Sequence, residues 1–244
     1  MGYTSFAEVY DKLTKNVDYK SYAAFIRKCL CENSIQDGII LDCACGTGTL
    51  SKYLSDYGYD MILADSSELM LNSAREKNPD ALTICQSMTE LDLFGTVKSC
   101  VSTLDSINHL LTYDDVKKAF SKISLFTEKD GIFIFDVNTG YKHAYVLADN
   151  TFVYDVDGVY CVWQNRFLRK RMMTDITLDI FIKENDGKYR RETDSFSERA
   201  YDIDRLTELL EDTGFEVIGL FGDNMTDAPD DKSLRIYFEA KKVK

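Results

Sequence analysis

An alternation of short apolar segments with amphipathic segments constrains the fold more than any other feature of this sequence. The apolar segments have the length and composition of buried strands, and they occupy residues 39–41, 61–64, 81–85, 98–104 and 132–136. Between them, apolar side chains recur at helical spacing, as at Leu50 and Leu54 and again at Val116 and Phe120. This alternation predicts an α/β fold with a mostly parallel sheet and helices on both faces.

The pattern changes between residues 151 and 200. Apolar residues there alternate with polar ones, most clearly from Ile176 to Ile182, and Asp157-Gly158 and Asn185-Asp186-Gly187 are typical of hairpin turns. We therefore predict an inserted antiparallel β-sheet subdomain. Beyond it, residues 215–220 and 234–240 read as strands, and the link between them lacks a helical pattern, so we expect an antiparallel C-terminal strand pair.

Composition excludes several classes of protein. The formal net charge of −12 argues against general affinity for nucleic acid or anionic membranes, because both require a cationic surface. No apolar run approaches the roughly 20 residues that span a bilayer, and residues 1–6 do not resemble a secretory signal. We therefore expect a cytoplasmic protein with reduced thiols among its 7 cysteines. Cysteine pairs spaced by one residue and only 2 histidines lead us to expect no metal site.

The segment Asp42-Cys43-Ala44-Cys45-Gly46-Thr47-Gly48 carries the strongest chemical signal. It follows a predicted buried strand and opens a helix, where glycines allow a ligand to approach and free N–H groups face it. The next strand ends in Asp65, whose carboxylate can accept hydrogen bonds from both ribose hydroxyls of a nucleoside cofactor, and Ser66 is the expected N-cap of the helix that follows. Ser51 stands where a dinucleotide site has its third glycine, and Asp42 can hold an ammonium group, which favours a cationic, phosphate-free cofactor.

These residues resemble the class I S-adenosylmethionine-dependent methyltransferases. Residues 42–48 look like that family's motif I, and residues 65–71 look like its ribose-binding stretch. Residues 86–88 fall where the family contacts adenine, and residues 105–110 match the wall of its methyl-transfer pocket. The N-terminal segment 6–11 and the β insertion are similar to the bacterial YqeM-like group. The resemblance covers nearly the whole chain and implies a Rossmann-like main domain.

The resemblance also implies the domain organisation and the site residues. Residues 1–36 form an N-terminal helical cap, residues 37–150 and 201–244 form the S-adenosylmethionine-binding domain, and residues 151–200 form the inserted subdomain over the active site. Asp105 and His109 are the candidate catalytic residues. The candidate cofactor-binding residues are Tyr10, Asp42, Cys43, Ala44, Cys45, Gly46, Gly48, Asp65, Ser66, Met70, Gln86, Ser87, Met88, Leu104 and Asp105.

Two residues depart from the family pattern. Ala44 replaces the first glycine of motif I, and we expect its methyl group to fit because it is the smallest possible addition. Ser87 stands where many members have an acid that accepts a hydrogen bond from the adenine amino group, so that contact is expected to be weaker or made by the backbone.

The leading functional hypothesis is direct, in-line methyl transfer to a nitrogen or oxygen of a small polar or anionic metabolite. The alternatives are a methyltransferase acting on RNA or protein, a non-catalytic module that binds the cofactor, and a nucleotide oxidoreductase, which Ser51 disfavours. His109 either lines the pocket wall or acts as a general base. His143 is expected at the surface, and the basic run from Arg166 to Arg171 either forms a solvated turn or recognises an anionic substrate. We expect a monomer or homodimer.

Overall fold

A computed structural model describes residues 4–244, with side chains from Phe6 onward, so the first three residues of the predicted cap lie outside the described part. The α-helices are α1 (Thr4–Leu13), α2 (Tyr19–Glu32), α3 (Thr49–Asp56), α4 (Glu68–Lys77), α5 (Tyr113–Phe126) and α6 (Ile203–Asp212). The strands are β1 (Ile39–Cys43), β2 (Asp60–Asp65), β3 (Leu82–Cys85), β4 (Val97–Ser102), β5 (Thr127–Asn138), β6 (Thr151–Val156), β7 (Val159–Leu168), β8 (Met173–Lys183), β9 (Tyr189–Arg199), β10 (Phe215–Phe221) and β11 (Arg235–Lys242). Short 3₁₀-helices span Ser106–His109 and Arg169–Arg171, and a π-helix spans Lys142–Leu147.

Seven strands form one sheet in the order β10-β11-β5-β4-β1-β2-β3. β1 to β5 run parallel, whereas β11 is antiparallel to both β5 and β10. The predicted mostly parallel sheet and its antiparallel terminal pair are therefore confirmed.

Helices cover both faces of this sheet, as the alternation along β5 shows. Phe133 and Phe135 point to one face, where they share an apolar core with α5 and α6. Ile132 and Ile134 point to the other face and share a core with α2, α3 and α4. The prediction of helices on both faces is confirmed.

The inserted segment forms a second sheet of four antiparallel strands in the order β6-β7-β8-β9. Its buried face, which includes Ile176, Leu178 and Ile180 of β8, packs in one cluster with Phe6 and Val9 of α1. The N-terminal helix thus gives the insertion the apolar partner that a single sheet needs.

Two local expectations need correction. The predicted strand 98–104 ends at Ser102, and Leu104 and Asp105 adopt left-handed backbone conformations beyond it. The cap of α4 is Ser67, whose hydroxyl accepts from the N–H of Met70, because Ser66 lies one residue too early to reach that group.

Within residues 4–244, no helix combines the length and the apolar character needed to cross a membrane.

Candidate functional site

The glycine-rich turn after β1 is held in a conformation that exposes backbone to a ligand. Gly46 and Gly48 have φ values of 55° and 72°, in the left-handed region. A Cβ at Gly46 would meet nothing within 4 Å, so this face of the turn is open, whereas a Cβ at Gly48 would lie 2.7 Å from Asn78 Nδ2. Ala44 also has a positive φ, of 63°, so this departure from the family's glycine is accommodated at a cost of about 1 kcal/mol.

Asp65 faces this turn from the end of β2. Its Oδ2 accepts from the N–H of Gly46 at 2.9 Å, and its Oδ1 accepts from the N–H of Ser67 at 2.8 Å. Burial raises the pKa of this carboxyl group, and the backbone hydrogen bonds oppose that shift. Each carboxylate oxygen keeps a second lone pair, so the oriented group can accept from two hydroxyls of a ligand.

Asp42 is buried at the end of β1. Its Oδ2 accepts from the hydroxyl of Ser51, a contact that the sequence alone did not reveal. Burial raises the pKa of Asp42 to about 7, and the Ser51 hydrogen bond opposes the shift. Because a nearby positive charge would favour ionisation, Asp42 is suited to an ammonium group rather than to a phosphate.

A cavity of about 360 Å³ lies over the turn. Six of the predicted cofactor residues line it: Tyr10, Asp42, Ala44, Cys45, Gly46 and Leu104. It is also lined by residues that sequence reasoning did not select: Tyr19, Thr47, Thr49, Leu50, Thr103 and Ser106. The side chains of Cys43, Met70 and Met88 are buried in apolar clusters, so they support the site from behind.

The remaining predicted cofactor residues, which are Gly48, Asp65, Ser66, Gln86, Ser87 and Asp105, do not line this cavity. Ser66 is exposed, Gln86 accepts from the N–H of Asp92 through its Oε1, and Ser87 Oγ lies 3.0 Å from Thr89 Oγ1. Since the Ser87 hydroxyl already has a neighbour, the expectation of a weak or backbone-made adenine contact stays a prediction.

Helix α1 closes over the turn through Asp11. Its Oδ1 accepts from the Thr47 hydroxyl at 2.6 Å, and its Oδ2 accepts from Lys77 Nζ at 2.6 Å. The contacts of Asp11 with Thr47 and Lys77 were not predicted, because these three residues are far apart along the chain and share no local pattern. These bonds hold Tyr10, on the same helix, at the cavity wall.

A second group of polar residues adjoins the cavity where β4 ends. We call Asp105, His109, Asp136, Lys142, Glu198 and Arg235 the polar cluster. Arg235 donates to Asp105 Oδ1 at 2.7 Å and also binds Asp136. Asp136 accepts from the N–H groups of Leu104 and Asp105 at 2.7 and 2.8 Å, which holds their left-handed backbone in place.

Burial and neighbouring charges shift the pKa values of the polar cluster in different directions. Burial raises the pKa of Asp105, but the positive charges of Arg235 and Lys142 outweigh it and the net shift is downward. Burial lowers the pKa of His109, which favours its neutral form. Burial and the charge of Asp105 together raise the pKa of Glu198 to about 8. Ligand atoms of Asp105, His109 and Glu198 all lie within 4.8 Å of one another.

His143 is fully buried, so its predicted surface position is wrong. It belongs to the π-helix, and its Nδ1 lies 2.8 Å from the Thr174 hydroxyl of the inserted sheet. The insertion covers this segment, which a local sequence pattern cannot indicate. In contrast, Arg166, Arg169, Lys170 and Arg171 are exposed at the turn between β7 and β8.

The architecture and the turn–carboxylate pair define a Rossmann-like enzyme that binds a nucleoside cofactor. Residues 40–131 match the family model described as a methyltransferase domain. The chain is 32% identical to YqeM of Bacillus subtilis (strain 168), which is named as a candidate methyltransferase, over 100% of this chain and 98% of that protein. The chain therefore belongs to the S-adenosylmethionine-dependent methyltransferases, and its cofactor is S-adenosylmethionine.

A solved structure supports this assignment over the full length. The S-adenosylmethionine-dependent methyltransferase from Clostridium acetobutylicum ATCC 824 superimposes with a TM-score of 0.89 and 30% identity, covering 99% of each chain. A Streptomyces venezuelae protein, named as a dTDP-3-amino-3,4,6-trideoxy-alpha-D-glucopyranose N,N-dimethyltransferase, is 30% identical over 52% of this chain and 55% of its own.

Proposed function

We propose that this enzyme transfers a methyl group to a nitrogen or oxygen of a small polar or anionic metabolite, whose acceptor atom lies at the polar cluster. The observation that carries the proposal is that the cavity over the glycine-rich turn lies next to the polar cluster. Thr103, Leu104 and Ser106 line the cavity over the glycine-rich turn, and Asp105, between them, belongs to the polar cluster. A methyl donor in the cavity and an acceptor at the cluster are therefore separated by a single short loop.

The residues around the turn fit the cofactor. We propose that Asp65 accepts from the ribose hydroxyls, that Asp42 holds the ammonium group of the methionyl part, and that the open face at Gly46 admits the ligand close to the backbone. Tyr10 covers the cavity from α1. When bound, S-adenosylmethionine supplies the activated methyl group, while the protein orients the reactants and excludes water.

The inserted sheet supports a small acceptor. Asn108 donates to the carbonyl oxygens of Asn138 and Arg199, and this joins the end of β5 to the end of β9 across the cluster. We propose that residues 151–200 roof the acceptor site and that residues 1–36 form the cap over the cofactor. A covered site suits a metabolite better than a folded macromolecule.

The name of the Streptomyces venezuelae relative indicates which kind of atom accepts the methyl group in that protein. Its name gives a nitrogen of a small, anionic sugar nucleotide as the acceptor. Because that protein is 30% identical to this chain over 52% of its length, its name favours a nitrogen acceptor here. We further propose a cytoplasmic enzyme that is a monomer or homodimer.

His109 has two roles open to it in this proposal, because burial lowers its pKa and so favours its neutral form, and because it lies near Asp105. It either lines the wall or accepts a proton from the acceptor. Orientation of the reactants alone can lower the barrier by roughly 7–11 kcal/mol, so methyl transfer does not require a strong base.

The test is a search for the acceptor with labelled cofactor. Purified enzyme and methyl-labelled S-adenosylmethionine are incubated with cell extract separated into low-molecular-mass, RNA and protein fractions. We expect label in the low-molecular-mass fraction, and none when Asp65→Ala replaces the wild type. Label confined to RNA or protein would refute the small-acceptor proposal, and cofactor binding without any transfer would indicate a non-catalytic module.

A further inference from the structure

Glu198 is the member of the polar cluster that the insertion contributes. It lies on β9, directly opposite Thr174 of β8, and its side chain is buried. Its Oε2 accepts from Asn138 Nδ2 at 3.2 Å. Asp105 and His109 are partly exposed, so a ligand would meet those two side chains at the accessible side and Glu198 at the buried side.

The charges of the polar cluster do not balance when every carboxylate is ionised. Asp105, Asp136 and Glu198 carry three negative charges, whereas Arg235 and Lys142 carry two positive ones. Arg235 is used by Asp105 and Asp136. Lys142 Nζ donates to Asn138 Oδ1 at 2.8 Å. Glu198 therefore remains the carboxylate without a matching cation.

His143 provides a second, independent observation at the same place. Its ring is fully buried, and its Nε2 has no hydrogen-bond partner within the described part of the chain. That nitrogen lies 3.9 Å from Glu198 Oε2. Burial lowers the pKa of His143 to about 4, so the ring is neutral near pH 7 and does not supply the missing positive charge.

We propose that Glu198 binds the amine of the methyl acceptor as an ammonium ion, in exchange for the proton that it carries in the free enzyme. This inference rests on the proposed function and names the acceptor class as an amine. In the free enzyme the proton neutralises the third carboxyl group. When the ammonium arrives, the O–H bond of Glu198 breaks, its proton leaves to solvent, and the carboxylate pairs with the ammonium.

The same carboxylate then removes a proton from the acceptor nitrogen before methyl transfer. One N–H bond of the ammonium breaks, and its proton forms a new O–H bond with Glu198. The electron pair of the broken bond stays on nitrogen as the lone pair that attacks. Protons and charges balance without any further reactant. A carboxyl group whose pKa is near the working pH is well suited to both halves of this exchange.

A monovalent ammonium fits this cluster better than a divalent metal. With all three carboxylates ionised, the cluster has one excess negative charge. A divalent ion would turn this into an excess positive charge, close to the two cations Lys142 and Arg235. The side chains of Asp105, His109 and Glu198 are close enough to ligate a metal, so a metal is the alternative that the experiment must exclude.

The experiment uses sinefungin, an analogue of S-adenosylmethionine with a carbon-bound amine in place of the methyl-bearing sulfonium. S-adenosylhomocysteine, which lacks that positive group, is the reference ligand. Calorimetry near pH 7 in two buffers of different ionisation enthalpy gives the number of protons released on binding. We expect sinefungin to release close to one proton more than S-adenosylhomocysteine in the wild type, because Glu198 is mostly protonated at that pH.

Glu198→Gln should abolish this difference while leaving the affinity for S-adenosylhomocysteine within about threefold, since the Gln oxygen can still accept from Asn138. Glu192→Gln, on the same strand but paired with Arg190, is the matched control and should behave as the wild type. Equal proton release by the two ligands, or unchanged release in Glu198→Gln, would overturn the proposal.

Two further arms keep the outcomes distinct. If Glu198→Gln does not fold, the wild type is measured at about pH 10, where Glu198 is already ionised and the extra proton release should vanish; persistence would contradict the proposal. Zn²⁺ or Mn²⁺ binding that is lost in Glu198→Gln would replace the ammonium site by a metal site. Failure of S-adenosylhomocysteine to bind the wild type would instead refute the proposed function.

Discussion

Replacement of Asp65 by Ala tests the cofactor half of the site most directly. The two carboxylate oxygens are each oriented by one backbone N–H, from Gly46 and Ser67, and each retains a lone pair that can accept from a ligand. Hydrogen bonds to charged groups contribute about 1.5–3 kcal/mol each, and water replaces part of what the ribose hydroxyls lose. A net loss of about 1.5–3 kcal/mol corresponds to roughly 10- to 150-fold weaker binding.

Calorimetry with S-adenosylhomocysteine measures this loss without any need for the acceptor. A pH of about 8 is appropriate because burial raises the pKa of Asp65, and its charged form is then favoured. Asp60→Asn, at the exposed opposite end of β2, is the control and should bind as the wild type does. Unchanged affinity in a folded Asp65→Ala protein would remove this carboxylate from the cofactor site.

The other predictions concern the turn, the wall and the buried carboxyl group. Gly48→Ala should lower the free energy of unfolding by about 1–3 kcal/mol in urea titrations, because the new Cβ meets Asn78 Nδ2 at 2.7 Å, whereas Gly95→Ala, which meets nothing within 4 Å, should not. His109→Ala should keep its affinity for S-adenosylhomocysteine within a few-fold if His109 only lines the wall, whereas a selective loss of turnover would support a role as a base. Glu198→Gln should gain stability relative to the wild type as pH rises from about 4.5 to 8, because the folded wild type must hold a proton that the unfolded chain has released; a melting-temperature difference that is flat across this range would contradict the raised pKa.

The residues of the proposed cofactor half could be selected from the sequence because the elements that carry them are close together along the chain. A strand, a glycine-rich turn and an acid at the end of the next strand are separated by few residues, and parallel strands bring their carboxyl ends to one edge of the sheet. Even here the finer contacts were missed. The Ser51 hydroxyl was read as a missing glycine, although it donates to Asp42, and the α4 cap was placed at Ser66 instead of Ser67.

The proposed acceptor half of the site could not be predicted as a whole from the sequence, because it is assembled from distant segments. Asp105 and His109 were selected through family resemblance, but Asp136, Glu198 and Arg235 come from β5, β9 and β11 and meet only through sheet pairing and the insertion. His143 shows the same limit. Its neighbours in the chain do not indicate burial, which depends on Thr174 of the inserted sheet.

Helix α1 makes contacts with both of these proposed halves of the site. Asp11 binds Thr47 of the glycine-rich turn, while the N–H of Phe6 donates to Asp194 at 2.7 Å and Glu8 pairs with Arg190. Asp194 and Arg190 lie on β9, the strand that also carries Glu198. Helix α1 therefore contacts both the glycine-rich turn and the strand that carries Glu198. Because both sets of contacts are made by the same helix, we expect a shift of the insertion that moves Glu198 to disturb the bond between Asp11 and Thr47 as well.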